Sequence, residues 1–245
     1  MSAVVVFDLE TVPDLAAVAR VHGIDPDDEA LVKEKLGSGF PKLPFHKIVC
    51  IGALVAEPDA AGWRVRALGA PHVGQRDEGS LIRDFAAKLA RLRPQLVGFN
   101  IHGFDLPVLR YRALITGVSA AGLCARPYFK RYDEAALDLC DVLSSYDARA
   151  RMSLDALCRA LDFPGKPEGM DGSRVAEFVK EGRLDEVAAY CRADIVATYR
   201  LLLAYELMRG ALTPDGHAAS TADLHRWVAR TSHEVGGPTT SGLAA

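Results

Sequence analysis

The sequence predicts an α/β protein in which a mixed β-sheet is flanked by helices. Three observations indicate this fold class. A strand pattern opens the chain, two further strand patterns follow with a short turn between them, and helix and strand patterns then alternate. A short turn implies an antiparallel pair, whereas a helix between two strands allows a parallel one. We therefore expect the first three strands to be antiparallel and the later strands to run parallel to the first.

The first strand ends in two acidic residues. Val4-Val5-Val6-Phe7 is an apolar run typical of a strand buried on both faces, and Asp8-Leu9-Glu10 follows it. Side chains at i and i+2 point to the same side of a strand, so the carboxylates of Asp8 and Glu10 lie together. Such charges repel each other unless a cation, a proton or strong donors intervene. The pair is either a metal site or an ordinary strand end, with Asp8 in a turn and Glu10 in water.

The chain up to residue 116 is predicted to form a loosely helical segment, a hairpin and a helix-strand-helix unit. Residues 14–36 carry a loosely helical pattern interrupted by glycine and proline, and residues 37–47 are predicted to be a surface loop with exposed aromatic rings. The elements that follow are strands over residues 48–55 and 63–68, a helix over 78–93, a strand over 95–100 and a helix over 106–116.

The second half is predicted to be mostly helical. Residues 135–143 read as a last strand running into a helix, residues 152–161 as a helix, and residues 183 to about 209 as the longest helix, with an apolar stripe. After Pro214 only a short helix around residues 223–230 is expected, and the final residues look disordered. We accordingly predict a domain over residues 1–210 and a partly disordered tail over residues 211–245.

Composition limits the class of protein. The 245 residues are 49% hydrophobic and carry a formal net charge of −3, so any contact with a polyanion has to come from a local patch. The five cysteines are scattered without a Cys-x-x-Cys pair, which argues against a disulfide framework and a structural zinc site. There is no basic leader and no membrane-spanning run, so we expect a cytoplasmic protein that does not bind membranes.

Two later segments add carboxylates to the same edge of the predicted sheet. Asp105 follows the strand that closes in Asn100, and it either caps the next helix or binds metal beside Asp8. The two roles can coexist, because a carboxylate has two oxygens. Asp194 lies close to the apolar stripe of the longest helix, one turn after Tyr190. A core-facing Asp is unfavourable unless it is paired or bound to metal.

Residues 106–132 form a basic and aromatic segment without any acidic residue. In a chain that is acidic overall, this segment is the best candidate for contact with phosphates and unstacked bases, although such runs are also typical of a solvated face. Lys166, in a predicted loop, is either a further phosphate contact or a solvated lysine. The basic residues of the segment are Arg110, Arg112, Arg126, Lys130 and Arg131.

Three motifs follow one another along the chain: Phe7-Asp8-Leu9-Glu10-Thr11, Asn100-x-x-x-Phe104-Asp105 and Tyr190-x-x-x-Asp194. Together they resemble the DEDD superfamily of 3′-to-5′ exonucleases, which have a ribonuclease H-like fold. The third motif is similar to that of the tyrosine subgroup (DEDDy), since Ala189 stands where the other subgroup has histidine. The first two look most like those of the exonuclease domain of family B DNA polymerases, and more narrowly like stand-alone bacterial proteins related to that domain. The likeness covers residues 4 to about 210.

The resemblance implies a site for two Mg²⁺ or Mn²⁺ ions. Asp8 would bridge both ions, Glu10 and Asp194 would hold the ion that activates water, and Asp105 would serve the other ion, mostly through waters. Tyr190 would orient the attacking water. Carboxylate oxygens are the ligands that these hard cations prefer, and two such ions suit phosphodiester hydrolysis.

The resemblance also implies a function and a substrate cleft. Thr11, Asn100 and Phe104 would line the cleft, with Phe104 stacking on a terminal base. The expected activity is metal-dependent 3′-to-5′ exonuclease action on nucleic acid, with single-stranded DNA favoured and nucleoside monophosphates released. One alternative is an exoribonuclease acting on RNA or short oligonucleotides. Another is a non-catalytic nucleic-acid-binding module, which is disfavoured because every carboxylate of the motifs is present.

Overall fold

The structure, a computed structural model, describes residues 3–164 and 172–234, and five strands in those ranges form one mixed sheet. The sheet order is β3-β2-β1-β4-β5, with β1 antiparallel to β2, β2 antiparallel to β3, and β4 and β5 parallel to β1. The predicted fold class and strand directions are confirmed. The strands are β1 (Val4–Pro13), β2 (His46–Asp59), β3 (Gly62–Gly69), β4 (Gln95–Gly98) and β5 (Ala136–Asp138).

Helices cover both faces of this sheet. Within the described residues, none of them combines the length and apolar composition that crossing a bilayer requires. Two differ from the sequence prediction, because α7 was not predicted and α9 is longer than predicted. The helices are α1 (Leu15–His22), α2 (Glu29–Leu36), α3 (Glu78–Leu92), α4 (Asp105–Thr116), α5 (Leu139–Leu143), α6 (Leu154–Ala160), α7 (Val175–Lys180), α8 (Leu184–Met208) and α9 (Pro214–Glu234).

Strand β1 lies in the middle of the sheet and separates two halves of the core. Val4 and Val6 belong to the apolar cluster that includes α8, whereas Val5, Phe7 and Leu9 belong to the cluster that includes α3 and α4. Both sets are buried, because alternate side chains of a central strand face opposite helical layers. The strand continues to Pro13, three residues beyond the predicted end, with a bulge after Glu10.

Helix α9 covers the outer strand of the sheet. Its Ser220 hydroxyl accepts a hydrogen bond from the Trp63 amide at 2.8 Å, and its Asp223 carboxylate accepts one from the Val65 amide at 2.8 Å. Leu224 is fully buried in the core. The sequence predicted only a short helix here, because its residues are mostly small and polar and the apolar pattern is weak. The predicted domain boundary at residue 210 stays a prediction.

Candidate active site

Strand alternation places Asp8 and Glu10 on the face of β1 that α8 covers. Val4 and Val6, which have the same parity, pack in one cluster with Ile195 of α8. Asp8 is half-buried and Glu10 is buried, and one carboxylate oxygen of each lies within 4.8 Å of the other. The two carboxylates are therefore close neighbours inside the protein, and the alternative reading, with Glu10 facing water, does not hold.

The Glu10 carboxylate is buried without compensation. Glu10 is 6% exposed, and none of the described residues donates a hydrogen bond to its carboxylate. Burial raises the pKa of Glu10 well above its usual value, and the charges of Asp8, Asp194 and Asp105 raise it further. A group that only accepts hydrogen bonds and is surrounded by like charges requires a proton or a cation. The end of β1 is therefore the place where a proton or a cation is required.

Asp105 reaches β1 from the first residue of α4. Its Oδ1 accepts a hydrogen bond from the Leu9 amide at 3.1 Å, between the two acidic residues of the strand. The cap position belongs to Phe104, which makes no side-chain capping bond, so the capping role expected for Asp105 is not observed. Burial, followed by the charge of Asp8, raises the pKa of Asp105 well above its usual value. Asp105 thus joins the carboxylates of β1.

Helix α8 brings Asp194 to the same place. The charge of Asp194 contributes to the raised pKa of Glu10, after burial and the charge of Asp8, whereas the described residues whose ligand atoms all lie within 4.8 Å of one another are Asp8, Glu10 and Cys191. Tyr190, one turn earlier, is buried, and its hydroxyl lies 3.9 Å from where a Cβ would stand at Gly172. A contact between Tyr190 and an attacking water stays a prediction.

Cys191 lies in the candidate site, although the sequence predicted no role for it there. Its fully buried Sγ lies 3.7 Å from Asp8 Oδ2, and ligand atoms of Asp8, Glu10 and Cys191 all fall within 4.8 Å of one another. The Cys50 thiol, burial and the two carboxylates raise the pKa of Cys191 well above its usual value. The signal was present in the sequence, since Cys191 and Asp194 are three residues apart and share a helix face.

The close approach of α8 to the sheet depends on Gly52. This residue pairs with Asp8 across β1 and β2. A Cβ at this position would overlap Ile195 Cδ1 and would lie 2.6 Å from Cys191 Sγ. A larger residue would therefore force the side chains of Ile195 and Cys191, or α8 itself, to move, so Gly52 allows the present close packing of α8 on the strand.

Asp138, at the end of β5, holds the loop that leads to Asp105. Its carboxylate accepts hydrogen bonds from the Asn100 amide at 2.7 Å and from the His102 amide at 2.9 Å. Asn100 has φ 64°, in the left-handed region that Asn tolerates better than most residues. Its side-chain oxygen accepts a 3.3 Å hydrogen bond from Arg151. Sequence reasoning placed Asp138 in the last strand but missed this supporting role.

Three aromatic rings cluster beside Asp105. Ring centroids are 4.8 Å apart for Phe40 and His46, 4.9 Å for His46 and Phe104, and 5.7 Å for Phe40 and Phe104. Phe40 is 76% exposed, and Thr11 Oγ1 lies 3.0 Å from His46 Nδ1, which ties the cluster to β1. We call Phe40, His46 and Phe104 the aromatic cluster. An exposed ring surface of this kind suits stacking with an unpaired base.

The basic residues predicted to bind nucleic acid have different surroundings. Arg110 and Lys130 are exposed, and Arg131 is exposed as well. Arg131 donates two 2.7 Å hydrogen bonds to the buried Asp141 carboxylate, so part of its hydrogen-bonding capacity is already used. Lys166 lies outside the described residues.

For Arg112 the prediction of a nucleic-acid contact is wrong. This residue is 3% exposed, on the inner face of α4. Its guanidinium donates two 2.7 Å hydrogen bonds to Glu78 and one 2.6 Å bond to Asp14. A basic run looked like a continuous solvated surface, but helical periodicity turns this member of the run inward, where buried acids neutralise it.

The donor set at the end of β1 fits a hard divalent cation. Mg²⁺ and Mn²⁺ prefer carboxylate oxygens, and a positive charge among these groups would relieve the repulsion at Glu10. The candidate ligands are the neighbouring carboxylates of Asp8 and Glu10. The carboxylates of Asp105 and Asp194, whose charges raise the pKa of Glu10, are the further candidates.

Comparisons with known proteins give one family and one shared fold. A family model described as a predicted 3′-5′ exonuclease related to the exonuclease domain of PolB matches residues 38–237. The fold is similar to that of the family B DNA polymerase from the hyperthermophilic archaeon Pyrobaculum calidifontis, with a TM-score of 0.55 and 19% identity over 85% of this chain. The match spans 25% of the polymerase chain, and at 19% identity the likeness concerns the fold alone. No curated protein matches the sequence significantly.

Proposed function

Because the chain belongs to this family of predicted 3′-5′ exonucleases related to the exonuclease domain of PolB, we propose that it shortens single-stranded DNA from the 3′ end by a two-metal-ion reaction. The released products would be nucleoside monophosphates. The family relation covers the exonuclease activity, whereas the choice of DNA, the number of ions and the role of each residue belong to the proposal.

The observation that carries the proposal is the uncompensated Glu10 carboxylate. It is 6% exposed, lacks a donor among the described residues, and interacts with the charges of Asp8, Asp194 and Asp105. Burying an acidic group in this way destabilises a fold by several kcal/mol unless an opposite charge is present. A hydrolase that neutralises a phosphodiester with bound cations needs such a cluster, and a purely structural module does not.

In this proposal each of the four carboxylates binds one or both of the two ions. Bound there, two divalent cations would lower the pKa of the attacking water and stabilise the charge on the leaving 3′ oxygen. Asp8 would contact both ions, Glu10 and Asp194 would hold one, and Asp105 would serve the other. The Leu9 amide fixes one oxygen of Asp105 and leaves the second available as an acceptor, which supports this assignment.

Tyr190 is proposed to orient the attacking water through its hydroxyl. It lies on α8 one turn before Asp194, so both side chains extend from the same face of the helix. A phenol has an apolar body that packs in the core and a polar end that can hold a water, which fits its buried position.

The aromatic cluster supports a single-stranded substrate. Phe104 immediately precedes Asp105, and the exposed Phe40 ring extends the aromatic surface away from the carboxylates. Bases that are not paired can stack on such rings at about 1–3 kcal/mol each. Thr11 and Asn100 would line the cleft beside the cluster.

Three exposed basic side chains are proposed to contact the phosphates of the substrate. They are Arg110, Lys130 and Arg131.

Labelled oligonucleotides test the function directly. DNA and RNA of one sequence, labelled at the 5′ end and presented single-stranded, duplex or mismatched, should be incubated with Mg²⁺, Mn²⁺ or EDTA. We expect a metal-dependent ladder that shortens from the 3′ end, fastest on single-stranded DNA. The Asp8→Asn, Glu10→Gln double variant should be slower by at least about a hundredfold, the scale of losing a transition-state stabiliser.

An Asp27→Asn variant is the matched control, because this carboxylate is exposed on the surface, and it should retain full activity. Equal shortening by the double variant, or none by the wild type with either metal, would contradict the proposal. Faster shortening of RNA than of DNA would identify an exoribonuclease instead.

A further inference from the structure

The Cys191 thiol faces the carboxylates of the candidate site. Its sulfur lies 3.7 Å from Asp8 Oδ2, and ligand atoms from Asp8, Glu10 and Cys191 lie within 4.8 Å of one another. Asp8 and Glu10 reach this point by strand alternation, and Cys191 reaches it because Gly52 lets α8 approach the sheet. Two oxygen donors from β1 and one sulfur donor from α8 thus converge where the two elements pack together.

The spacing of these atoms fits a single cation. A tetrahedral ion bound to sulfur at about 2.3 Å and to oxygen at about 2.1 Å holds those two ligand atoms about 3.6 Å apart. The observed separation of Cys191 Sγ and Asp8 Oδ2 is 3.7 Å. The sulfur could therefore enter the coordination of an ion at Asp8 without a change in backbone position.

A packing role for the thiol does not account for the whole arrangement. Cys191 is fully buried, and a buried cysteine often acts only as a small apolar residue and weak donor. Here the thiol lies 3.7 Å from both the Asp8 carbonyl oxygen and Asp8 Oδ2 and also contacts the Cys50 thiol, and Glu10 has no donor among the described residues. The buried, uncompensated Glu10 carboxylate is an independent indication that a cation belongs at this point.

We propose that Asp8, Glu10 and Cys191 form a mixed oxygen and sulfur site for a thiophilic divalent cation, of which Zn²⁺ is the physiological example. The inference shares Asp8 and Glu10 with the proposed function and in that respect rests on it. Sulfur prefers borderline and soft cations, whereas Mg²⁺ binds through oxygen. On binding, the Cys191 sulfur donates an electron pair to the cation and its proton passes to solvent, so no oxidant or reductant takes part.

Competition between cations is the functional consequence. A cation held by the thiolate occupies Asp8 and Glu10, the carboxylates that the proposed reaction also requires. Zn²⁺ and Mg²⁺ therefore exclude each other at this point, and Cys191 sets which of them the site favours.

Cadmium is a suitable probe, because thiolate coordination to Cd²⁺ gives a charge-transfer absorbance in the ultraviolet. The full-length, metal-free protein should be titrated with Cd²⁺ alone. We expect this absorbance in the wild type and its loss in Cys191→Ser, with Cd²⁺ bound at least about tenfold more weakly, the smaller end of the effect of altering a metal site. Cys124→Ser changes an exposed cysteine and should keep the absorbance.

A second measurement needs no variant and so does not depend on how Cys191→Ser folds. The ¹¹³Cd NMR shift of the wild-type complex distinguishes a site with one sulfur ligand from one with oxygen ligands alone. An all-oxygen shift, or a charge-transfer band that survives in Cys191→Ser, would overturn the mixed site. Shortening of DNA with Mg²⁺ and no band would refute the mixed site alone, and a band without shortening would refute the proposed function alone.

Discussion

Among the described residues, Glu10 has neighbours that raise the pKa of its carboxylate and no donor that would stabilise a charge on it. Its carboxylate is buried, and neighbouring acids raise its pKa rather than lower it. A residue of this kind lowers the stability of the metal-free protein, and bound cations would reverse the effect because they bind the folded state only. The same buried carboxylate therefore destabilises the metal-free protein and gives it the capacity to bind catalytic cations.

Replacing Tyr190 with Phe tests a single hydroxyl. We expect Tyr190→Phe to lower single-turnover cleavage by at least about tenfold, because the attacking water loses a partner, while DNA affinity changes little. Rapid-quench kinetics and fluorescence anisotropy measure the two quantities. The control is Tyr128→Phe, which also removes a buried hydroxyl, in this case one that donates to the Pro94 carbonyl at 2.9 Å rather than to a residue of the motifs. Unchanged cleavage in Tyr190→Phe would leave Tyr190 as a core aromatic only.

The direction in which a side chain points was predictable where the period of a strand or helix determines it. Asp8 and Glu10 follow from the two-residue period of a strand, and Asp194 from the helical stripe. Arg112 was assigned to the surface because a run of basic residues hides the inward position of one member. Cys191 was missed because its spacing from Asp194 indicates only a shared helix face, and the approach of α8 to β1 is what brings its sulfur near Asp8.

At the element scale, the site depends on how closely one helix lies on the sheet. Helix α8 carries Asp194 and Cys191, and it packs over the β1 and β2 residues that include Asp8 and Gly52. The absent side chain of Gly52 sets that distance. A change outside the acidic motifs can therefore alter the geometry of the candidate ligands.

Substituting Ala for Gly52 should separate α8 from β1. We expect Gly52→Ala to destabilise the protein by about 1–3 kcal/mol through overpacking and to weaken Mg²⁺-dependent cleavage as well. Urea denaturation and the oligonucleotide assay measure these effects. In the control Gly69→Ala, the added methyl group meets no atom within 4 Å, so its stability should stay within about 1 kcal/mol of wild type. A Gly52→Ala protein as stable as the control would show that α8 can shift freely.

Elements were predicted well where apolar periodicity is strong and poorly where tertiary contacts provide the stability. Helices α3 and α8 follow from their apolar stripes. Helix α7 is only six residues long, too short for a clear period. Helix α9 contains many small polar residues, and two of its side chains hydrogen-bond to β3, a contact that no local pattern reveals.

For the whole molecule, the buried Arg112 connects parts of the chain that are distant in sequence. From α4 it bonds to Asp14, which caps α1, and to Glu78, the first residue of α3. Glu78 also accepts a 2.7 Å hydrogen bond from the Ile48 amide of β2. One guanidinium thus joins three helices and, through Glu78, the sheet.

Removing this guanidinium should have a large effect that depends on pH. Arg112→Met leaves buried acids unpaired, so we expect a loss of about 3–5 kcal/mol at pH 7. Burial raises the pKa of Asp14, but the Ala17 amide and Arg112 outweigh it and hold the pKa below the ordinary 3.8. In the wild type, the stabilisation from Asp14 is therefore full above pH 3.8 and is lost as pH falls through the lowered pKa.

In the variant, the Ala17 amide still offsets part of the burial of Asp14 but Arg112 no longer does, so the pKa of Asp14 rises and the deficit should shrink as pH is lowered toward that raised value. Urea denaturation at several pH values measures the trend. The exposed Arg149, paired with Asp147, provides the control, and Arg149→Met should change stability by less than about 1 kcal/mol. A deficit in Arg112→Met that does not vary with pH would show that Asp14 stays ionised without its partner.

The topology of the molecule was predictable because connection rules leave few choices. A short turn between two strands and a helix before a later strand determine the strand directions. The packing of α9 on the sheet was not predictable from the sequence. It depends on the contacts of Ser220 with Trp63 and of Asp223 with Val65, which are 157 and 158 residues apart.

The bonds from Ser220 and Asp223 to the amides of β3 also have a consequence during synthesis. An outer strand with free amides can pair with another chain, and α9 is what covers this one. Because Ser220 follows Trp63 by 157 residues, the ribosome adds it on the order of ten seconds later. During that interval the nascent chain exposes an outer strand whose free amides can pair with another chain. Slow translation of the last helix should thus favour aggregation more than slow translation elsewhere.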